Sequence, residues 1–283
     1  MRLSGCGLGN CFYSYFHAVV LAQKHHATLI APPWFSIKLG PLLRGEPSKR
    51  LYWRMFKPYP GDIHGARKLL TLLRSYRKRV LVKVGDAGEP VLAEGSLNFV
   101  ASSRFSFVGL HTYRSTIRQR LLGTINDAVP GNHRWGSGDH IALHIRLGDF
   151  AAVPDDALIN TAHPSPNLRI PLSWYVNLAR VLARRHPHKP MYVFSDGDEK
   201  ALAPLLGLGA KIYRSGSDIT DLLAMAGASI LVGSNSTYSR WAAFLGDMPS
   251  IWLKTAADAE QPSAPATPIR YVPLDCQEPV LWQ

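Results

Sequence analysis

Residues 191–245 read MYVFSDGDEKALAPLLGLGAKIYRSGSDITDLLAMAGASILVGSNSTYSRWAAFL. Short apolar runs at 191–194, 211–213 and 230–232 alternate with helical spacing at 199–206 and 219–228, and an apolar helix containing Trp241 closes the stretch. Strands alternating with helices pair in parallel through right-handed crossovers, so the segment predicts a doubly wound α/β sheet. Upstream, the apolar run IALHI at 141–145 reads as another buried strand, and a helix is expected over 172–185. Between them, 150–171 is polar and punctuated by proline, and a loop of that size in a compact domain is usually functional. Residues 255–268 form an Ala/Pro-rich excursion.

The first half is also α/β in pattern. A helix is predicted over 10–27, where Phe12, Tyr13, Phe16, Val19, Val20 and Gln23 share one face, and further helices over 68–79 and 113–122. Strands are expected at 80–84 and around 105–110. The first helix follows the glycine-rich turn GCGLGN, which is not the dinucleotide fingerprint because Gly5, Gly7 and Gly9 alternate with no third glycine at the required spacing. A length of 283 residues suits about two domains. Turn-rich sequence near 127–138 divides them, giving a basic domain over 1–128 and a second over 138–283.

Composition excludes several classes. With 46% hydrophobic and 18% charged residues the chain is an ordinary globular one, not a disordered one. Apolar stretches fall short of the roughly 20 residues needed to span a bilayer, and residues 1–10 lack the pattern of a cleavable signal, so a cytoplasmic location is expected. Cys6, Cys11 and Cys276 are odd in number and without CxxC spacing, which predicts reduced thiols and no structural zinc. Residues 1–128 carry 19 Lys and Arg against 6 Asp and Glu, whereas 129–283 carry 13 against 14, so the whole excess of +12 lies in the first half. The cluster Arg67, Lys68, Arg74, Arg77, Lys78, Arg79 and Lys83 reads as a solvated helix face or as a patch for a polyanion. Peripheral contact with an anionic membrane is the expected partner. Nucleic acid is not expected, since no zinc-finger or RNA-motif signature accompanies the charge.

Ligands of doubly wound sheets sit beyond the carboxyl ends of the strands, which directs attention to three clusters. His144, Arg146, Gly148 and Asp149 follow the strand at 141–145. An arginine there suits a phosphate, whose adjacent oxygens accept two parallel hydrogen bonds from its planar fork; the plainer alternative is an ion pair of Arg146 with Asp149. Ser195, Asp196 and Asp198 follow the strand at 191–194. The DxD spacing admits a divalent cation, but Asp198 reads better as a helix cap. Ser234, Asn235, Ser236, Thr237 and Ser239 lie between a strand and a helix start, where free backbone N–H groups and hydroxyls form an anion site, or simply a cap. His140 and His144 lie four apart on a strand and do not converge on a metal.

Taken in order, four blocks resemble the α-1,2-fucosyltransferases of glycosyltransferase family 11, and more distantly the protein O-fucosyltransferases and α-1,6-fucosyltransferases. GLGNCFYSYFHAVVLAQ is similar to that family's GLGNQLFQYAxAxAL, HIRLGDF to HxRRGDY, FSDGDE to FSDD, and DITDLLAMAGASILVGSNSTYSRWAAFLG to DLxLMxxCxxxIxANSTFSWWxAxL. Cys11, Leu147, Gly197 and Arg240 depart from the pattern, standing for glutamine, arginine, aspartate and tryptophan.

The resemblance implies two Rossmann-like domains in a GT-B-like architecture, with the acceptor side in 1–128 and the GDP-sugar in 138–283. It implies inverting transfer of fucose from GDP-fucose to a galactoside of an oligosaccharide acceptor, in glycan or surface polysaccharide synthesis, with no metal or other cofactor. In that reading Arg146, Asp149 and His144 are catalytic, with Asp149 as base and His17 behind it. The donor lies against Gly7, Gly9, Asn10, Ser195, Asp196, Asn235, Ser236, Thr237 and Ser239, Asp196 facing the guanine edge. A non-catalytic glycan- or nucleotide-binding module, and a metal-dependent transferase using Asp196 and Asp198, are the alternatives.

Overall fold

A computed structural model describes residues 7–34, 52, 54–84, 90–102, 107–130, 138–148, 150–159, 168–255 and 269–275. The chain divides into two compact units, Met1–Val129 and Pro130–Gln283.

The first unit is built on helix α1 (Leu8–Lys24), which starts at Gly7 without a side-chain cap and buries residues nearly all round its first four turns. Phe12 and Phe16 stack edge to face at 5.4 Å, and Trp34 lies 4.2 Å from Phe56, so α1 anchors an aromatic core. Helix α2 (Gly65–Arg74) is followed by strand β1 (Arg79–Val84), which pairs in parallel with β2 (Leu97–Ser102). Ala18 and Leu21 of α1 pack on Val82, Val84 and Val100 of these strands. A short 3-10 turn, His111–Tyr113, leads into α3 (Arg114–Thr124). From α3, Arg120 reaches Asp62 at 2.7 Å and donates through Nε to the Tyr15 hydroxyl at 3.0 Å, a nearly buried ionic contact tying α3 to α1. Burial pushes the Tyr15 hydroxyl up to about 12 and raises the Asp62 carboxyl despite its arginine.

Three expectations for this unit change. The helix expected over 68–79 spans Gly65–Arg74, with a turn at 75–77 and the strand already starting at Arg79. The strand expected around 105–110 is instead β2; residues 107–110 form a turn at Gly109, whose φ of +76° a strand does not accommodate, and 103–106 lie outside the described residues. Among the described residues the unit has one two-stranded parallel sheet rather than a doubly wound one.

The second unit carries strands β3 (Ile141–Ile145), β4 (Met191–Ser195), β5 (Lys211–Ile212), β6 (Ile230–Val232), β7 (Ser250–Leu253) and β8 (Ile269–Val272). They form one sheet in the order β5-β4-β3-β6-β7-β8, and every neighbouring pair is parallel. Within the unit this is the 3-2-1-4-5-6 order of dinucleotide-binding sheets, and it reverses between β3 and β6. Both strands at that point are wholly buried, as covered faces require. The helices are α4 (Asp155–Ile159), α5 (Leu172–Arg185), α6 (Glu199–Leu206), α7 (Asp218–Ala226) and α8 (Thr237–Gly246). Trp174, Tyr175, Leu178 and Leu182 of α5 join Leu143, Val193, Val232 and Ile251 in the main core. Gly246 lets α8 close on α7, since a Cβ there would lie 2.2 Å from the Ala226 carbonyl oxygen.

The expected loop at 150–171 contains α4 and a bridge between Ala151 and Leu168, with 160–167 outside the described residues. Cys11 is buried; Cys6, Cys276 and 256–268 lie outside the described residues.

Candidate functional site

The register of the central pair fixes the geometry of the site. Ile141 to Leu143 pair with Ile230 to Val232, so Arg146 and Asn235, each three residues past the last pair, leave neighbouring strands at the same carboxyl end. Adjacent strands lie about 4.8 Å apart, and the order reverses here, which is where such sheets bind ligands.

Arg146 is about one third exposed, stacks over Phe150 at 5.3 Å, and has Nη1 3.4 Å from Asp196 Oδ2. Its observed carboxylate is therefore Asp196 on the neighbouring strand end; Asp149 lies outside the described residues. Asp196 Oδ1 accepts the Leu147 backbone N–H at 2.8 Å. Both oxygens have a protein partner, so Asp196 closes the turn after β3 while it also borders an open cleft. Gly148 permits this approach, since a Cβ would sit 2.8 Å from Asp196 Oδ2. Ser195 Oγ likewise accepts the Gly197 N–H at 3.0 Å and braces the same turn.

His144 was expected to be catalytic, and its surroundings give it another part. It is buried, shares a 2.9 Å hydrogen bond with Ser234 Oγ, and packs on the Tyr238 ring. Burial, reinforced by the Arg146 charge, pushes its imidazole down to about 3, which leaves it neutral and a poor proton acceptor. It is a positioning residue that joins β3 to the loop after β6.

That loop ends in the start of α8. Ser236 is the N-cap, accepting the Tyr238 N–H at 3.2 Å. Ser239 is wholly buried with its Oγ 3.1 Å from the carbonyl oxygens of Ser234 and Ser236, so it secures the loop from inside and is not a ligand contact. Asn235 and Thr237 are half-buried at the helix start. Asp198 accepts the Ala201 N–H at 2.7 Å as the N-cap of α6, as its spacing suggested.

Two arginines escaped the sequence reading. Arg169 Nη2 donates to the Leu147 carbonyl, and Arg214 Nη2 donates to the Gly197 carbonyl at 2.7 Å. Arg214 follows β5 almost directly, so the rule that polar residues after strands matter would have found it. Arg169 precedes α5 and gave no such signal. An open cleft of about 470 Å³ is lined by Leu147, Gly148, Arg169, Asp196, Gly197 and Asp198 among others, so one arginine and two carboxylates border it.

No protein-family model matches the chain, and no curated protein does. Its fold is similar to a solved structure of POFUT1 in complex with GDP, at 12% identity and a TM-score of 0.47 over 87% of this chain and 95% of that one. A structure of POFUT1 in complex with GDP-fucose gives 11% identity and 0.45 over 88% and 95%. Similarity at that level says nothing of chemistry.

Leu147 and Gly197, two departures from the fucosyltransferase motifs, face each other: a Cβ on Gly197 would lie 2.5 Å from Leu147 Cδ1. An apolar side chain and a missing one thus occupy two positions where those motifs carry opposite charges.

In the first unit, Gly7 precedes α1, Gly9 and Asn10 lie in its first turn, and His17 is buried in its middle.

Proposed function

We propose that this protein is an inverting, metal-independent fucosyltransferase that moves L-fucose from GDP-fucose to a galactoside hydroxyl in α-1,2 linkage, in a GT-B-like architecture. The observation that carries the reading is that Arg146, after β3, and the capped start of α8, after β6, follow the two neighbouring strands at the order reversal of a 3-2-1-4-5-6 sheet. Arg146 offers two parallel N–H donors to a diphosphate, and the first turn of α8 offers backbone N–H groups and the positive end of the helix dipole. Those fixed donors suit the charge that grows on GDP as the bond from fucose C1 to the phosphate oxygen breaks. The acceptor oxygen forms the new bond from the opposite face, and its proton passes to a base, for which Asp149 is proposed.

The metal-dependent alternative loses support from the carboxylates themselves. Asp198 is committed to capping α6, and Asp196 to the Leu147 N–H and Arg146. Radiolabelled fucose release from GDP-fucose, with GDP-mannose and UDP-galactose as competitors, tests the proposal. Release should persist in EDTA and be slowed by GDP but not by UDP-galactose. Activity lost in EDTA and restored by manganese would establish the metal-dependent reading, and GDP binding without release would establish a binding module.

A further inference from the structure

Helix α2 (GARKLLTLLR) is amphipathic, yet none of its ten residues is buried. A helix on a globular surface normally turns its apolar stripe to the core. This one is inverted. Lys68, Thr71, Leu72 and Ser75 are the half-buried positions, and Lys68 Nζ donates to the Ala31 carbonyl at 2.7 Å. The opposite face carries Leu69, Leu70 and Leu73, exposed by 60%, 51% and 63%, and Tyr76 just beyond the helix is 67% exposed. Arg79 stacks over the Tyr76 ring at 4.4 Å.

The segment that carries this apolar face has charge of one sign. Residues 63–85 contain Arg67, Lys68, Arg74, Arg77, Lys78, Arg79 and Lys83 and no aspartate or glutamate. Asp62, just before them, is held by Arg120. We propose that α2 is an interfacial helix that lays its leucines into the headgroup boundary of an anionic bilayer while the surrounding cations pair with lipid phosphates. A bilayer of that kind meets both halves of the surface at once, apolar insertion and electrostatic attraction. A second copy of this chain would set the six exposed cations, all of these but Lys68, against their own copies across a desolvated contact, which is strongly unfavourable. A nucleic acid would meet the cations and leave the leucines in water. Among the described residues no helix is long and apolar enough to cross a membrane, so the contact proposed is peripheral. It does not depend on the reaction proposed above.

Cosedimentation of the full chain with vesicles of mixed phosphatidylglycerol and phosphatidylcholine, against phosphatidylcholine alone, tests it. The protein should bind the anionic vesicles at low ionic strength, release them as salt is added, and ignore the neutral ones. Leu69→Ser with Leu73→Ser leaves the charge unchanged and should weaken binding on the order of a hundredfold. Arg67→Gln with Arg74→Gln keeps the leucines and should weaken it roughly fivefold per charge. Both pairs are exposed, and an unchanged far-UV spectrum is expected. The proposal is overturned if anionic vesicles do not bind, if neutral vesicles bind equally, or if the serine variant binds like the wild type. A wild-type dimer in sedimentation velocity that the serine variant splits would also overturn it, assigning the face to self-association.

Discussion

The imidazole of His144 is buried between Ser234 and the Tyr238 ring. Its place at the end of a buried strand, beside Arg146, was legible in the sequence. That the ring points inward to Ser234 was not, because on a fully buried strand both faces are covered and alternation carries no signal. Burial has a consequence for stability. The folded imidazole resists protonation down to about 3 against 6.5 when free, so between those values the unfolded chain binds a proton that the folded one refuses. Stability present above pH 6.5 is therefore lost as the pH falls, at about 1.4 kcal/mol per pH unit for one such group. Burial also lowers His140, which adds in the same direction. Urea unfolding of His144→Gln beside the wild type from pH 7 to pH 4 separates the two: the variant should show a shallower decline, and equal slopes would contradict the neutral, buried assignment.

At the scale of elements, periodicity named β3, β6, α5 and α6 to the residue, because each combines a sharp boundary with one clear spacing. It missed β7 and β8, four residues each with no alternation to read, and β2, whose LNFVAS pattern is weak. The missed β7 holds the loop of the site in place. Trp252 of that strand presses on Gly233, where a Cβ would lie 2.2 Å from the indole ring, and its Nε1 donates to Ser250 Oγ at 3.0 Å. Tyr175 of α5 donates its hydroxyl to the Gly233 carbonyl from the other side. Gly233→Ala should therefore overpack the junction and lower stability by about 1–3 kcal/mol in urea unfolding, as inserted core methyls do. Adding Trp252→Leu should recover much of that loss. An unchanged unfolding midpoint in Gly233→Ala would mean that the indole moves aside freely and does not brace the loop.

Across the whole molecule, alternating strands and helices were enough to read a parallel α/β sheet in the second unit, but not its strand order, which depends on long-range pairing. That order converts three separate motifs into neighbours: Arg146 after β3, Asp196 after β4 and Ser236 after β6. The contact of Arg169 with the turn after β3 also arises from tertiary packing and left no local signal, whereas the place of Arg214 just after β5 was a signal that could have been read. The role proposed for Arg146 is to bind a nucleotide diphosphate through its planar fork. Calorimetric titration of GDP into the wild type and Arg146→Lys tests that role, since lysine keeps the charge and loses the paired donors. The wild type should bind GDP, and Arg146→Lys should bind it roughly tenfold to a hundredfold more weakly, with the same thermal midpoint. Equal affinity in the two proteins, or no GDP binding by the wild type, would contradict that role.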